Sequence, residues 1–321
     1  MTFKVVATDK VSNSGLRTLV EDDRFEVVFA HDSTTSDFES ALEDADALIV
    51  RSATTVGAAL LEKGPYLKVI GRAGVGVDNI DIPAATERGI AVVNAPSGNT
   101  IAAAEMTMAL ILATMRHVVA ADTSLRDGRW DRNLFKGAEL MGRRLGLIGA
   151  GRIGAEVALR CQAFGMDVII YDPYLTEERA EAIGSRLTDL DEVVTTSDVI
   201  SLHVPLTDET RGMIDEAAIL RMKPGTFVVN ASRGGVVDET DLAAALESGH
   251  LAGAALDVYE DEPLSGESPL RTAPNLTLTP HLGASTVEAQ EHVAVEVAAN
   301  VAAVLVEGDL AAALNKDQLS S

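Results

Sequence analysis

Gly149, Gly151 and Gly154 stand in the run RLGLIGAGRIG, which extends from Arg144 to Gly154, at the spacing GxGxxG. A strand that turns directly into a helix needs these three glycines for separate reasons. The first makes the tight turn, the second lets the backbone approach a pyrophosphate, and the third lets the helix pack closely on the strand. The helix start then offers free N–H groups and the positive end of its dipole to phosphate oxygens. The next apolar run, MDVIIYD, ends in Asp172, about twenty residues on, where a carboxylate accepts hydrogen bonds from ribose hydroxyls. That carboxylate would repel a 2′-phosphate, and Pro173 and Tyr174 add no basic group, so the pattern predicts NAD rather than NADP. Glycines that merely punctuate a turn are the plainer reading. The strand before, the helix after and the acid closing the next strand argue against it.

Downstream, three polar residues fall at or just after the ends of successive candidate strands: Arg233 in VVNASRGGVVDE, Glu262 in ALDVYEDEP and His281 in TLTPHLGAS. Ligands of doubly wound sheets bind at those carboxyl ends. Hydride transfer between an alcohol and a nicotinamide needs a group to take the hydroxyl proton, and a histidine titrates in the right range. A carboxylate beside it orients the ring and stabilises its charged form. An arginine grips a substrate carboxylate with two parallel hydrogen bonds and polarises the adjacent carbonyl. The assignment is His281 as acid/base, Glu262 as its partner and Arg233 as substrate anchor.

These residues need a parallel α/β frame. Short β-branched runs alternate with alanine-rich helical stretches in two series. The first comprises Lys4–Asp9, Glu26–Ala30, Ala47–Arg51, Leu67–Gly71 and Ile90–Asn94; the second comprises Arg144–Ile148, Asp167–Tyr171, Val199–His203, Thr226–Asn230, Gly253–Asp257 and Leu276–Thr279. The pattern predicts two doubly wound, Rossmann-like parallel sheets in tandem. One long helix, with Thr100 as N-cap, runs to about His117 between the series, and a second spans roughly Thr286 to Glu307. The only loose tail expected is the last few residues, ending QLSS.

The 321 residues suit two domains, with 47% hydrophobic and 23% charged residues as in ordinary globular chains. A single cysteine, Cys161, excludes an internal disulfide and reads as a small buried residue. The six histidines show no metal-ligand spacing, so no metal is expected, and His203 reads as structural. The start, MTFKVVATDK, has no basic region followed by an apolar core, and the apolar stretch from Ile101 carries Glu105 and is short for a membrane span. A cytoplasmic chain is expected. Its net charge of −23 disfavours nucleic acid and anionic membranes as partners. Lysine supplies only 7 of the 26 basic residues. Adaptation to a high-salt cytoplasm and a GC-rich genome both account for that balance.

The blocks GAGRIG, ASRGGVVDE, ALDVYEDEP and TPHLGAS resemble the signatures of the D-isomer-specific 2-hydroxyacid dehydrogenases. Upstream, LIVRSAT, VIGRAGVGVDNID, VVNAPSGNT and the RDGRWDR–LFKGAEL stretch are similar to the branch of that family acting on 3-phosphoglycerate, and the likeness covers essentially the whole chain. It implies oxidation of 3-phospho-D-glycerate to 3-phosphohydroxypyruvate with NAD, the first step of serine synthesis. It also implies a discontinuous substrate domain, residues 1–97 plus 286–321, an NAD-binding domain over 98–285 with the long helices as hinge, and a homodimer formed through the NAD-binding domains. Carried across, Arg152 and Ile153 lie at the pyrophosphate, Val204 and Pro205 on the adenine side and Asp257 near the nicotinamide amide, with Ala231, Ser232, Gly283 and Ala284 completing the cofactor set. Gly74 and Val75 bind the substrate carboxylate through backbone N–H groups, together with Asn94. Arg51 and Arg72 meet the phosphate, their alternative being surface ion pairs. Arg132 resembles an arginine lent by the neighbouring subunit, and Trp130 packs at that interface. Other 2-hydroxy acids, such as glyoxylate, hydroxypyruvate or D-lactate, remain open as substrates, and an NAD-sensing corepressor-like scaffold is the reading from another class. Longer members carry C-terminal regulatory domains, so the chain is expected to be either a short form or a fragment.

Overall fold

The computed structural model describes residues 2–319. The chain divides into two compact units, one made of residues up to Thr100 together with those from Ala284 onward, the other of Ile101–Gly283.

The first unit holds β1 (Phe3–Ala7), β2 (Phe25–Phe29), β3 (Ala47–Val50), β4 (Val69–Arg72) and β5 (Ala91–Asn94). They form one parallel sheet in the order β2-β1-β3-β4-β5. Its strands are near-continuous apolar runs because both faces are covered. Alternate residues go to opposite faces. Val5, Ile49, Val69 and Val93 meet Val293, Val297 and Val301 of the helix Val287–Ala302. Val6, Leu48, Ile70 and Val92 meet Phe38, Leu42, Leu61 and Ala85. Gly71 permits the close approach of that last long helix, since a Cβ there would lie 2.7 Å from Val297 Cγ2. The stretch Val287–Glu307 is long and apolar enough to cross a membrane, but Val293, Ala294, Val297, Ala298, Val301 and Leu305 are buried in this core.

The segment after this helix is tied down, and of the expected loose end Gln318 and Leu319 are helical. Leu314 N–H donates to Val92 O at 2.8 Å, and an antiparallel bridge joins Val93 to Ala313. The buried Asn315 side chain accepts from Val92 N–H at 3.0 Å and donates to Ile90 O at 2.9 Å. The segment thus covers the free edge of β5, and a short helix, Lys316–Leu319, follows. Ser320 and Ser321 lie outside the described residues.

The second unit holds β6 (Arg144–Ile148), β7 (Asp167–Tyr171), β8 (Arg186–Leu187), β9 (Val199–Leu202), β10 (Thr226–Asn230), β11 (Leu251–Leu256) and β12 (Leu276–Leu278). These run parallel in the order β12-β11-β10-β9-β6-β7-β8. The order reverses between β6 and β9, which opens a crevice beyond their carboxyl ends. The single helix expected from Thr100 to His117 is two, Thr100–Met115 and Val118–Arg126, bent by 62°. His117 sits between them with φ +52°, a left-handed conformation that ends one helix and starts another. Thr100 is the first helical residue rather than the cap. The two-residue β8 was not foreseen, and β11 starts at Leu251, two residues before the predicted Gly253.

Candidate active site

In the second unit, the turn after β6 has the shape a dinucleotide needs. Gly149 has φ +87°, and a Cβ on it would lie 2.5 Å from His203 O, so only glycine lets β6 and β9 end this close together. Gly154 abuts Gly149 O. Gly151 faces open space and caps the helix Arg152–Ala163 without a side-chain bond, which leaves the first amides for an anion. Asp172, just past β7, accepts from Ala150 N–H and Tyr174 N–H, each at 2.9 Å. The carboxylate is therefore fixed at the rim of the glycine turn, with lone pairs left for ribose hydroxyls. These features fit NAD. Arg152 is exposed and Ile153 half-buried beside the turn, with Val204 half-buried and Pro205 exposed after β9.

His203, expected to be structural, faces Ser201 Oγ through Nε2 at 2.9 Å, and burial pushes its pKa down to about 4. The folded state holds the ring neutral, whereas the unfolded chain protonates it near its ordinary value of about 6.5. Its contribution to stability is present above about pH 6.5 and is lost as pH falls towards 4, at about 3 kcal/mol in all. Denaturant midpoints between pH 7 and 4 should fall less steeply in His203→Gln than in the wild type.

The ends of β10, β11 and β12 bring the proposed catalytic residues forward. Buried Asn230, the last residue of β10, accepts from Ser232 N–H at 3.0 Å and Ser232 Oγ at 2.8 Å and donates to Arg233 O at 2.8 Å. It thereby shapes the Ala231–Arg233 turn. His281 Nδ1 lies 2.7 Å from Glu262 Oε2, with both side chains partly exposed. Burial alone would raise the Glu262 carboxyl pKa. The hydrogen bond and charge of His281, the Tyr259 N–H and the Arg233 charge outweigh it and hold the carboxyl below its ordinary value. Glu262 is thus ionised at neutral pH and can accept the Nδ1 proton, which leaves Nε2 as the basic nitrogen.

Asp257 is fully buried, and its carboxylate accepts from Thr279 Oγ1 at 2.6 Å and from the Leu282 and Gly283 amides at 2.8 Å each. Its acceptors are turned onto the His281 turn, a role that its assignment to a nicotinamide amide did not foresee. Ala284 is the first residue of the return to the first unit.

In the first unit the sheet order reverses between β1 and β3, and there the Arg51 loop is clamped. Asp9, with φ +58°, accepts from Arg51 N–H at 2.9 Å, Thr54 N–H at 3.0 Å and Thr54 Oγ1 at 2.5 Å. Asn79 Nδ2 donates to Arg51 O and Thr54 O at 2.7 and 2.6 Å. Arg72 ends β4, and its guanidinium lies across Gly74, where a Cβ would collide with Nη1. Asn94 is buried and donates through Nδ2 to Val75 O at 2.6 Å, so it holds the Gly74–Val75 loop from behind. The sequence reading missed Asp9, Asn79, Asn230 and Tyr259. All but Asp9 lie inside the blocks VGVDNID, VVNASRGG and LDVYEDEP, and that membership was the available signal.

Residues 108–283 match the family model described as D-isomer specific 2-hydroxyacid dehydrogenase, NAD binding domain. The chain belongs to this family. It is 49% identical over 299 residues to the D-3-phosphoglycerate dehydrogenase of Bacillus subtilis (strain 168), across 93% of this chain and 56% of that protein. The chain therefore spans little more than half the length of this relative. Among solved structures it is similar to a glyoxylate reductase from Paecilomyes thermophila, with TM-score 0.86, 30% identity and coverage of 98% of this chain and 99% of that one. It also resembles an NAD-dependent formate dehydrogenase from Staphylococcus aureus in complex with NAD, with TM-score 0.82, 30% identity and coverage of 96% and 97%. The names of these family members point to different substrates on one fold, so substrate choice lies in the side chains around the shared frame.

Proposed function

We propose that the chain oxidises 3-phospho-D-glycerate to 3-phosphohydroxypyruvate, the first step of serine formation. The observation that carries the chemistry is the Glu262–His281 pair, with Nδ1 committed to the carboxylate. NAD, when bound, accepts the hydride from C2 of the substrate. His281 Nε2 takes the proton of the C2 hydroxyl, Glu262 stabilises the imidazolium, and the C2–O bond becomes a carbonyl as the C–H electron pair leaves. Arg233 carries the fixed charge suited to the substrate carboxylate.

The phosphate is assigned to Arg51 and Arg72, with Gly74, Val75 and Asn94 shaping the substrate loop. Arg51 is supported by its place where the sheet order of its own unit reverses, the usual ligand position in such sheets. The 49% identity to a D-3-phosphoglycerate dehydrogenase supports the same substrate. Selective NADH formation from 3-phosphoglycerate over D-glycerate and D-lactate tests the reading.

The expected homodimer is supported by an apolar surface on the second unit. Val118, Val119, Leu125, Trp130, Leu134 and Met141 are all more than half exposed, Trp130 at 76%. Exposed Arg132 lies in the same segment, consistent with donation to a neighbouring copy. Light scattering should give about twice the chain mass; the mass of a single chain would refute the dimer. NAD and phosphorylated acids are both retained in the cytoplasm, where we place the protein.

A further inference from the structure

The geometry points to Tyr259 as the positioning residue that holds the Arg233, Glu262 and His281 loops in mutual register. This inference rests on the catalytic roles proposed above and adds a residue to them.

Three different parts of Tyr259 reach three loops. Its backbone N–H donates to Glu262 Oε1 at 3.1 Å, so the carboxylate that orients His281 through Oε2 is itself held through Oε1. Its backbone carbonyl lies directly against Gly234, where any Cβ would collide with it, so the residue after Arg233 must be glycine for that loop to seat. Its phenol oxygen lies 2.8 Å from Thr279 O and 3.2 Å from Leu256 O, with the shorter contact to Thr279. The ring is buried, and burial together with the Asp257 charge pushes the phenol pKa up to about 12. The hydroxyl is therefore a donor throughout the working pH range.

The contact to Thr279 matters because of what that carbonyl does. It also accepts from His281 N–H at 3.0 Å, closing a tight turn around Pro280. His281 has φ +55°, a left-handed conformation uncommon for a residue with a Cβ. Asp257 fixes the Thr279 hydroxyl and the Leu282 and Gly283 amides on either side of His281. The direction of the Thr279 carbonyl, which sets the histidine's own amide, is left to the Tyr259 phenol. Loss of that single hydroxyl therefore loosens His281 without emptying the core, because phenylalanine retains the ring.

The test is Tyr259→Phe, with Tyr66→Phe, an exposed residue of the first unit, as control. Kinetics and amide hydrogen exchange are measured on the full chain. The expected result is a kcat at least tenfold lower, with KM values for NAD and for the hydroxy acid within twofold. Exchange at residues 281–283 should be at least tenfold faster, with β6 protection unchanged. Tyr66→Phe should alter none of these. Unchanged exchange at 281–283 overturns the inference, and so does faster exchange with unchanged kcat, since the contact is then structural only. If the wild-type chain oxidises no 2-hydroxy acid, the proposed function fails, and the exchange result still decides whether Tyr259 holds the turn.

Discussion

Replacing His281 by alanine is expected to lower kcat by about a thousandfold while leaving the Kd for NAD within twofold, on the scale of a lost general base. The expectation follows from the division of labour at the strand ends. The pyrophosphate and adenosine-ribose contacts of NAD are assigned to the turn after β6 and to Asp172, on strands distant in the sheet order from β12. His281 contributes the nitrogen that takes the hydroxyl proton, and without it the alcohol must lose that proton to water. NADH fluorescence titration measures the binding term and initial rates measure the chemical one. A variant that binds NADH normally and still turns over at a tenth of the wild-type rate would remove His281 from the proton path.

The second large effect is at Asp172. Its carboxylate bonds the Ala150 and Tyr174 amides and is proposed to take the ribose hydroxyls. Asp172→Ala removes charge-assisted hydrogen bonds of roughly 1.5–3 kcal/mol, so the Kd for NAD should rise by about ten- to a hundredfold. The same change removes the repulsion of a 2′-phosphate, so the preference for NAD over NADP should fall by at least as much. At saturating NAD, kcat should stay within a few-fold, because the adenosine end is remote from the reacting carbon. An unchanged cofactor preference would contradict the role given to this residue.

Much of this arrangement was legible in the sequence, for physical reasons that differ by residue. β6, β7 and β10 begin and end where predicted, because each is a short, largely apolar run bounded by glycine or polar turn residues. Asp172, Arg233, Glu262 and His281 could be singled out as candidates because ligands gather at carboxyl ends of parallel strands, and those ends can be read once the strands are known. The break at His117 was hidden because the sequence stays apolar through Val118 and Val119, and periodicity does not register one left-handed residue. The binding of Asn315 to β5 was equally invisible, since its partners Ile90 and Val92 lie more than two hundred residues away in sequence. Asp9, Asn79 and Tyr259 share that property in milder form. These three hold groups of another loop and Asn230 holds the turn that follows it, and no residue type at a given spacing announces such a contact. Asp257 could be assigned to the site but not to its task, since three donors on one carboxylate appear only in three dimensions.

The most direct test of the central claim is kcat/KM for 3-phosphoglycerate against D-glycerate, measured with NAD at alkaline pH in the wild-type chain and in Arg51→Ala and Arg72→Ala. The account predicts at least a hundredfold preference for the phosphorylated acid, reduced tenfold or more in each variant through KM. Equal or better activity on D-glycerate, or variants that leave the preference untouched, would contradict it.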